Sequence, residues 1–106
     1  MNKLAAMLVA LMLVVPATAH GIEFKQFKAE ITEKSLIPCE VQRGDFKEWQ
    51  IPMLRAYIEN APVSSEVDKT IRIMYRGLRQ EYGDNPTRSQ LDGFYQLMLI
   101  VCRGMD

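Results

Sequence analysis

The sequence contains few of the side chains that most enzymes use for catalysis. It has one histidine, His20, and two cysteines, and it has neither a Cys-x-x-Cys motif nor a glycine-rich phosphate loop. A serine or cysteine hydrolase needs a base beside its nucleophile, and one histidine at the start of the predicted mature chain does not supply that base within a folded core. We therefore predict no catalytic site, no metal site and no cofactor. Scattered carboxylates leave a small carboxylate-dependent enzyme as an alternative.

An excess of charge of one sign is also absent. The chain carries 13 basic and 13 acidic residues and has a formal net charge of zero at neutral pH. Such a balance provides no general electrostatic attraction to nucleic acid or to anionic lipid. We therefore predict no nucleic-acid partner.

The longest apolar run lies at the beginning of the chain and is too short to span a bilayer. Lys3 precedes an apolar run over residues 4–15, and small residues at 17–19 provide a cleavage site. A membrane-spanning helix needs about 20 apolar residues. The pattern predicts a signal peptide over residues 1–19, no stable membrane anchor, and a periplasmic or secreted domain over residues 20–106. A segment of that length forms a single domain.

Two cysteines in an exported chain indicate one disulfide. The intramolecular pairing joins Cys39 to Cys102, and the long loop that it closes gives a chain-entropy estimate of roughly 4 kcal/mol of stabilisation. For a small domain this is a large fraction of the net free energy of unfolding. An intermolecular bridge and a metal pair are the alternatives.

Four segments have apolar residues at helical spacing, and no segment of any length alternates as a strand does. These segments cover residues 20–34, 45–60, 65–82 and 89–102. We expect Pro38 to interrupt the helical pattern at residues 35–38, and residues 39–44 to form a connector. The fold prediction is all-α: a small bundle of about four helices, stapled by one disulfide.

Two of these segments define the expected core. The segment 89–102 is apolar over most of its circumference, so we place it in the middle of the core. The segment 65–82 has a good N-cap in Ser65, one apolar stripe and a glycine stop at Gly83. Trp49, in the second segment, is expected to lie in the core, with a binding anchor as the alternative.

The outer face of the segment 65–82 is the candidate partner-binding face. Three arginines follow one another at i, i+4 and i+7, next to a tyrosine and an isoleucine that lie away from the apolar stripe. Arginine and tyrosine are enriched in protein interfaces. The alternative is a solvated face with an ordinary ion pair between Asp68 and Arg72. The candidate face consists of Arg72, Ile73, Tyr75, Arg76 and Arg79.

The layout of a signal peptide, a small helical body and two distant cysteines is similar to that of periplasmic acid-stress chaperones. It is similar also to that of immunity proteins that neutralise cell-wall toxins in the periplasm. The resemblance is one of layout, and no motif matches residue by residue. We predict an exported, non-enzymatic domain that binds another protein, of inhibitor, immunity or adaptor type. A chaperone that unmasks apolar surface in acid is the first alternative, and the carboxylate-dependent enzyme is the second.

Overall fold

The computed structural model describes residues 21–104, so the predicted signal peptide and His20 lie outside the described residues. Every regular element in this part of the chain is helical. A π-helical segment, Thr32–Leu36, joins the first two α-helices, and a short 3-10 turn, Glu48–Gln50, precedes the third. The α-helices are α1 (Phe24–Ile31), α2 (Ile37–Gln42), α3 (Ile51–Glu59), α4 (Glu66–Tyr82) and α5 (Arg88–Gly104). The elements α1, the π segment and α2 follow one another without a break and form one helical stretch. Together with α3, α4 and α5 this stretch makes four helical units, so the predicted small all-α bundle of about four helices is confirmed for the described residues.

The first helical stretch runs through Pro38, so the predicted break at residues 35–38 and the connector over 39–44 are wrong. A proline inside an α-helix lacks an N–H group, and its ring clashes with the carbonyl four residues earlier. The helix widens just before this point, where the N–H of Ile37 donates to the carbonyl of Thr32, five residues back. Pro38 then lies in the first turn of α2, where no N–H is needed.

The end of α2 is set by Gly44, which has a φ of 83°. This left-handed conformation suits glycine because it has no Cβ. The N–H of Gly44 donates to the carbonyl of Val41 at 3.0 Å, and the N–H of Asp45 donates to that of Glu40 at 3.2 Å. These two bonds form a Schellman motif, which ends the helix and sends the chain toward α3.

The core lies between α1, α4 and α5 and is centred on Phe27. Its fully buried ring has its centroid 5.3 Å from that of Tyr75 and 5.9 Å from that of Tyr95. Burying an aromatic or aliphatic side chain of this size contributes about 1.5–3 kcal/mol. The predicted stripe of α4 faces this core, with Ile71 and Leu78 fully buried. The buried core residues are Ile22, Phe27, Ile31, Ile71, Leu78, Leu91, Phe94 and Tyr95.

The helix α5 is buried on one side only, which corrects its predicted place in the middle of the core. Leu91, Tyr95 and their neighbours face inward, whereas Leu97 is 51% exposed and Ile100 is 61% exposed. The helix packs against the π segment, α2 and α4, and its inward side chains also meet Phe27 and Glu30 of α1. A domain of this size has too few helices to surround one of them on all sides.

Features that the sequence predicts define both ends of α4 and join α2 to α5. Ser65 caps α4 by accepting a hydrogen bond from the N–H of Asp68 at 3.3 Å, and Gly83 ends that helix with a φ of 80°. Cys39, on α2, and Cys102, in the last turn of α5, form the predicted disulfide, with their Cα atoms 6.2 Å apart. The disulfide therefore fastens α5 to the first helical stretch.

The contact between α1 and α5 also contains an ionised carboxylate with three donors. Glu30 accepts hydrogen bonds from Arg88 at 2.6 Å, from Gln26 at 2.9 Å and from the hydroxyl of Tyr95 at 2.9 Å. Partial burial opposes ionisation of Glu30, but the bonds from Arg88, Gln26 and Tyr95 together outweigh it and lower its pKa to about 2. The charged form of Glu30 therefore stabilises the packing of α5 on α1.

Loss of the disulfide should lower the stability of the domain strongly. The cysteines are 63 residues apart, and closure of a loop of that length corresponds to roughly 4 kcal/mol by chain entropy. We expect the double variant Cys39→Ser/Cys102→Ser to lose a stability of that order in urea unfolding. Each 1 kcal/mol corresponds to about 4–8 °C in Tm for such a domain. Two free thiols in protein recovered from an oxidising compartment would contradict the prediction.

Replacing Glu30 should remove one defined part of the pH dependence of stability. Because the folded pKa lies below the unfolded value, the contribution is complete above about pH 4.5 and is lost as the pH falls toward 2. We expect Glu30→Gln to be less stable than the wild type by about 1–3 kcal/mol at pH 7, with the gap closing near pH 2. Urea unfolding from pH 7 to pH 2 measures this difference. Glu33→Gln, at an exposed position nearby, is the control and should follow the wild type.

Candidate protein-binding surface

Three large apolar side chains project from one side of α3 and the turn before it. Trp49 is 73% exposed, Met53 is 66% exposed and Tyr57 is 65% exposed. Their spacing of four residues places them side by side along the helix. We call these three residues the α3 ridge. The expectation that Trp49 lies in the core is therefore wrong.

Trp49 is exposed because a second apolar stripe on the same helix faces the rest of the domain. Ile51, Leu54 and Ile58 are partly buried, and they cover the side of α3 that faces the rest of the domain. Both stripes have helical spacing, so periodicity alone does not decide which of them is buried. The spacing of the ridge residues is visible in the sequence, but only the position of α3 in the structure shows that this face of the helix is exposed.

An apolar groove of about 370 Å³ lies next to the ridge. Tyr57 belongs to both features, since its side chain lines the groove as well as the ridge. A smaller hollow of about 190 Å³ adjoins the groove, and Phe46 and Leu54 line both cavities. The groove is lined by Leu36, Glu40, Phe46, Leu54, Tyr57, Ile58, Glu66, Val67, Thr70 and Ile71.

Local backbone features position the ridge and the groove. The π segment contributes Leu36 to the groove, and the connector that follows Gly44 contributes Phe46. The turn before α3 is closed by Gln50, whose side chain accepts from the N–H of Lys47 at 2.8 Å while its own N–H donates to the carbonyl of Lys47 at 2.9 Å. This reciprocal pair fixes the 3-10 turn from which Trp49 projects.

Two residues of the candidate face on α4, Arg72 and Tyr75, contact the beginning of the described chain, and Arg79 supports one of them. The hydroxyl of Tyr75 donates to the carbonyl of Ile22 at 2.7 Å. Arg79 donates to that hydroxyl at 3.0 Å. The guanidinium of Arg72 lies 4.2 Å from the ring centroid of Phe24. These side chains therefore fasten the beginning of the described chain to α4.

The remaining contacts of this face agree in part with the predicted alternative, a solvated face with an ion pair between Asp68 and Arg72. Arg72 donates to Asp68 at 2.6 Å, as expected for an i,i+4 pair, and the buried Asp68 also lies 3.7 Å from Lys28 of α1. Ile73 is 63% exposed, and Arg76 is exposed without an ion pair to any described residue. A partner-binding role for this face remains a prediction, and these last two side chains are the ones open to a partner.

The described residues give no sign of a metal centre or a membrane-spanning helix. Between residues 21 and 104, no three His, Cys, Asp or Glu side chains are grouped so that they could hold a metal ion. No helix in the same range combines the length and the apolar character needed to cross a membrane. The chemistry of the ridge is that of aromatic rings and a thioether, which bury large areas and adapt to irregular contacts.

Comparison of the chain with protein-family models, with curated proteins and with solved structures found no match. The surface is therefore interpreted from its own geometry.

Proposed function

We propose that this chain is an exported, non-enzymatic domain that binds another protein through the α3 ridge and the adjoining groove. The observation that carries the proposal is the exposure of Trp49, Met53 and Tyr57, each above 60%, beside an apolar groove. Aromatic residues and methionine are enriched in the buried centre of protein interfaces. Tryptophan and tyrosine are also the residues whose truncation most often costs a large part of the binding energy.

The groove supports the same proposal by offering space for side chains of the partner. Its volume of about 370 Å³ falls in the range of about 300–1,000 Å³ that is typical of binding pockets. Among its described lining residues, only Glu40 and Glu66 carry a charge. An interface with an apolar centre and carboxylates at its edge would therefore combine burial of Trp49 and Tyr57 with insertion of partner side chains into the groove.

Residue content supports a role in binding rather than in catalysis. Both cysteines of the chain are held in the disulfide, so neither thiol is available as a nucleophile. The single histidine, His20, would be the first residue of the mature chain. Inhibitors, immunity factors and adaptors act by binding alone and need no catalytic group.

The disulfide supports export, and with it a periplasmic or secreted location. Disulfides form and persist in oxidising compartments and are rare in the cytosol. The signal-peptide pattern over residues 1–19 is consistent with this route. The partner would then be another periplasmic or secreted protein.

Truncating the ridge should weaken partner binding strongly without unfolding the domain. Because Trp49 and Tyr57 are mostly exposed, Trp49→Ala/Tyr57→Ala should change the free energy of unfolding by less than about 0.5 kcal/mol per site. If both are central anchors, the double variant should bind the partner at least ~30-fold more weakly. Affinity capture from periplasmic extract identifies the partner, and titration of the purified pair measures Kd. Trp49 is the only tryptophan, so a blue shift of its emission reports its burial in the complex.

Two matched variants distinguish the ridge from the candidate face on α4. Ile73→Ala removes an equally exposed apolar side chain, and Arg76→Glu reverses an exposed charge. Both should leave Kd unchanged if the ridge binds the partner. Loss of binding in Arg76→Glu, with normal binding by the ridge variant, would assign the site to the α4 face instead. Hydrophobic-dye binding that develops only on acidification to about pH 2 would favour the acid-stress chaperone.

A further inference from the structure

The outer face of α5 carries a second apolar surface, separate from the ridge. Gly93, Leu97, Ile100 and Gly104 follow at intervals of four, three and four residues, which places them within about 60° of one another around the helix. Leu97 is 51% exposed and Ile100 is 61% exposed. We call these four residues the α5 stripe. The stripe therefore carries no charged side chain. Val101, beside it, is apolar too and is 46% exposed.

The two glycines of the stripe are not required by the packing of the described chain. Neither has a positive φ, and a Cβ built at either position meets no atom within 4 Å. Glycine in a helix is unfavourable relative to alanine, so its presence at Gly93 needs another reason. A second helix backbone that approaches closely is such a reason, because glycine leaves room for it.

The order of the stripe is the same when it is followed from either end. In a two-fold contact, residue i of one copy meets residue j of the other, and j meets i. Suppose that two α5 helices pack antiparallel, with the two-fold axis crossing the stripe halfway along it, at the level of the Met98–Leu99 peptide bond. Leu97 then faces Ile100 of the second copy. Gly93 then faces Gly104 of the second copy at both ends. We propose that this chain forms a two-fold dimer through the antiparallel α5 stripes.

Charges beside the stripe favour the same arrangement. Asp92 and Arg103 lie on one flank of α5, and an antiparallel two-fold keeps this flank of both copies together. At a rise of 1.5 Å per residue, Arg103 of one copy comes within about 3 Å of the level of Asp92 of the other. Arg103 is exposed and forms no ion pair with a described residue. Asp92 pairs at 3.1 Å with both Lys34 and Arg88 of its own copy, so Arg103 of the second copy would join this exposed network. In a parallel two-fold pair the two flanks would lie on opposite sides of the contact, so Arg103 of one copy would not meet Asp92 of the other.

The size of the stripe sets the strength of the dimer. A helix of 17 residues is about 25 Å long and about 10 Å wide, so its contact area is below the roughly 800 Å² per partner of a standard interface. We therefore expect a weak, concentration-dependent dimer. No described residue of α5 lines the groove beside the α3 ridge, so each dimer presents two free binding surfaces.

Sedimentation velocity on the exported protein, with its mass determined first, tests the dimer. From about 1 μM to about 1 mM, the average mass should rise toward twice that of the monomer, as for interfaces of small area. Leu97→Lys and Ile100→Glu should each raise the dimer dissociation constant at least ~10-fold, because each buries an unpaired charge. An equimolar mixture of the two variants should recover association, since the new ammonium group of the first variant then faces the new carboxylate of the second.

The controls and the mixture make each outcome decisive. Ile73→Glu places a charge at an equally exposed apolar position on α4 and should dimerise normally. A protein that stays monomeric at every concentration overturns the proposal. A dimer that survives Leu97→Lys, or that is lost in Trp49→Ala, overturns it by assigning the contact to another surface. Failure of the mixture to associate would overturn the antiparallel register.

Discussion

The rest of the fold depends on how the first helical stretch accommodates Pro38. Widening to a π-helix over Thr32–Leu36 lets the stretch continue, and this segment contacts α1, α2, α3 and α5. Its two buried hydroxyls are satisfied at once: Thr32 donates to the carbonyl of Lys28, and Ser35 donates to the carbonyl of Tyr95 on α5, each at 2.6 Å. Buried polar groups without partners are costly, so the bond from Ser35 fixes the position of α5 on the π segment.

Charged and aromatic residues hold the N-terminal end of the described chain to α4. Tyr75 accepts a bond from Arg79 and donates to the carbonyl of Ile22, which places that residue in the core. Asp68 is buried between Arg72 and Lys28, and so has two positive neighbours from two helices. Residue types that are common in interfaces thus also serve here to join parts of one chain.

The small size of the domain explains why two apolar surfaces stay exposed. A few short helices cannot enclose α5 or cover both stripes of α3, so the ridge around Trp49 and the stripe around Leu97 remain at the surface. Large exposed apolar patches are typical of sites of association. The two surfaces share no residue, so the proposed partner binding and the proposed self-association can each be tested by substitutions that leave the other surface intact.

Local features of the sequence determined the helices and several of their ends. Ser65 and Gly83 act through hydrogen bonds and backbone conformation within a few residues, and two cysteines allowed a single pairing within the chain. Helical spacing also identified the buried stripe of α4. Only the tertiary structure decided that Pro38 is tolerated and that Trp49 faces outward, and it alone left Leu97 exposed. A periodic pattern defines the faces of a helix, but burial depends on which neighbours pack against each face, and those contacts come from distant parts of the chain.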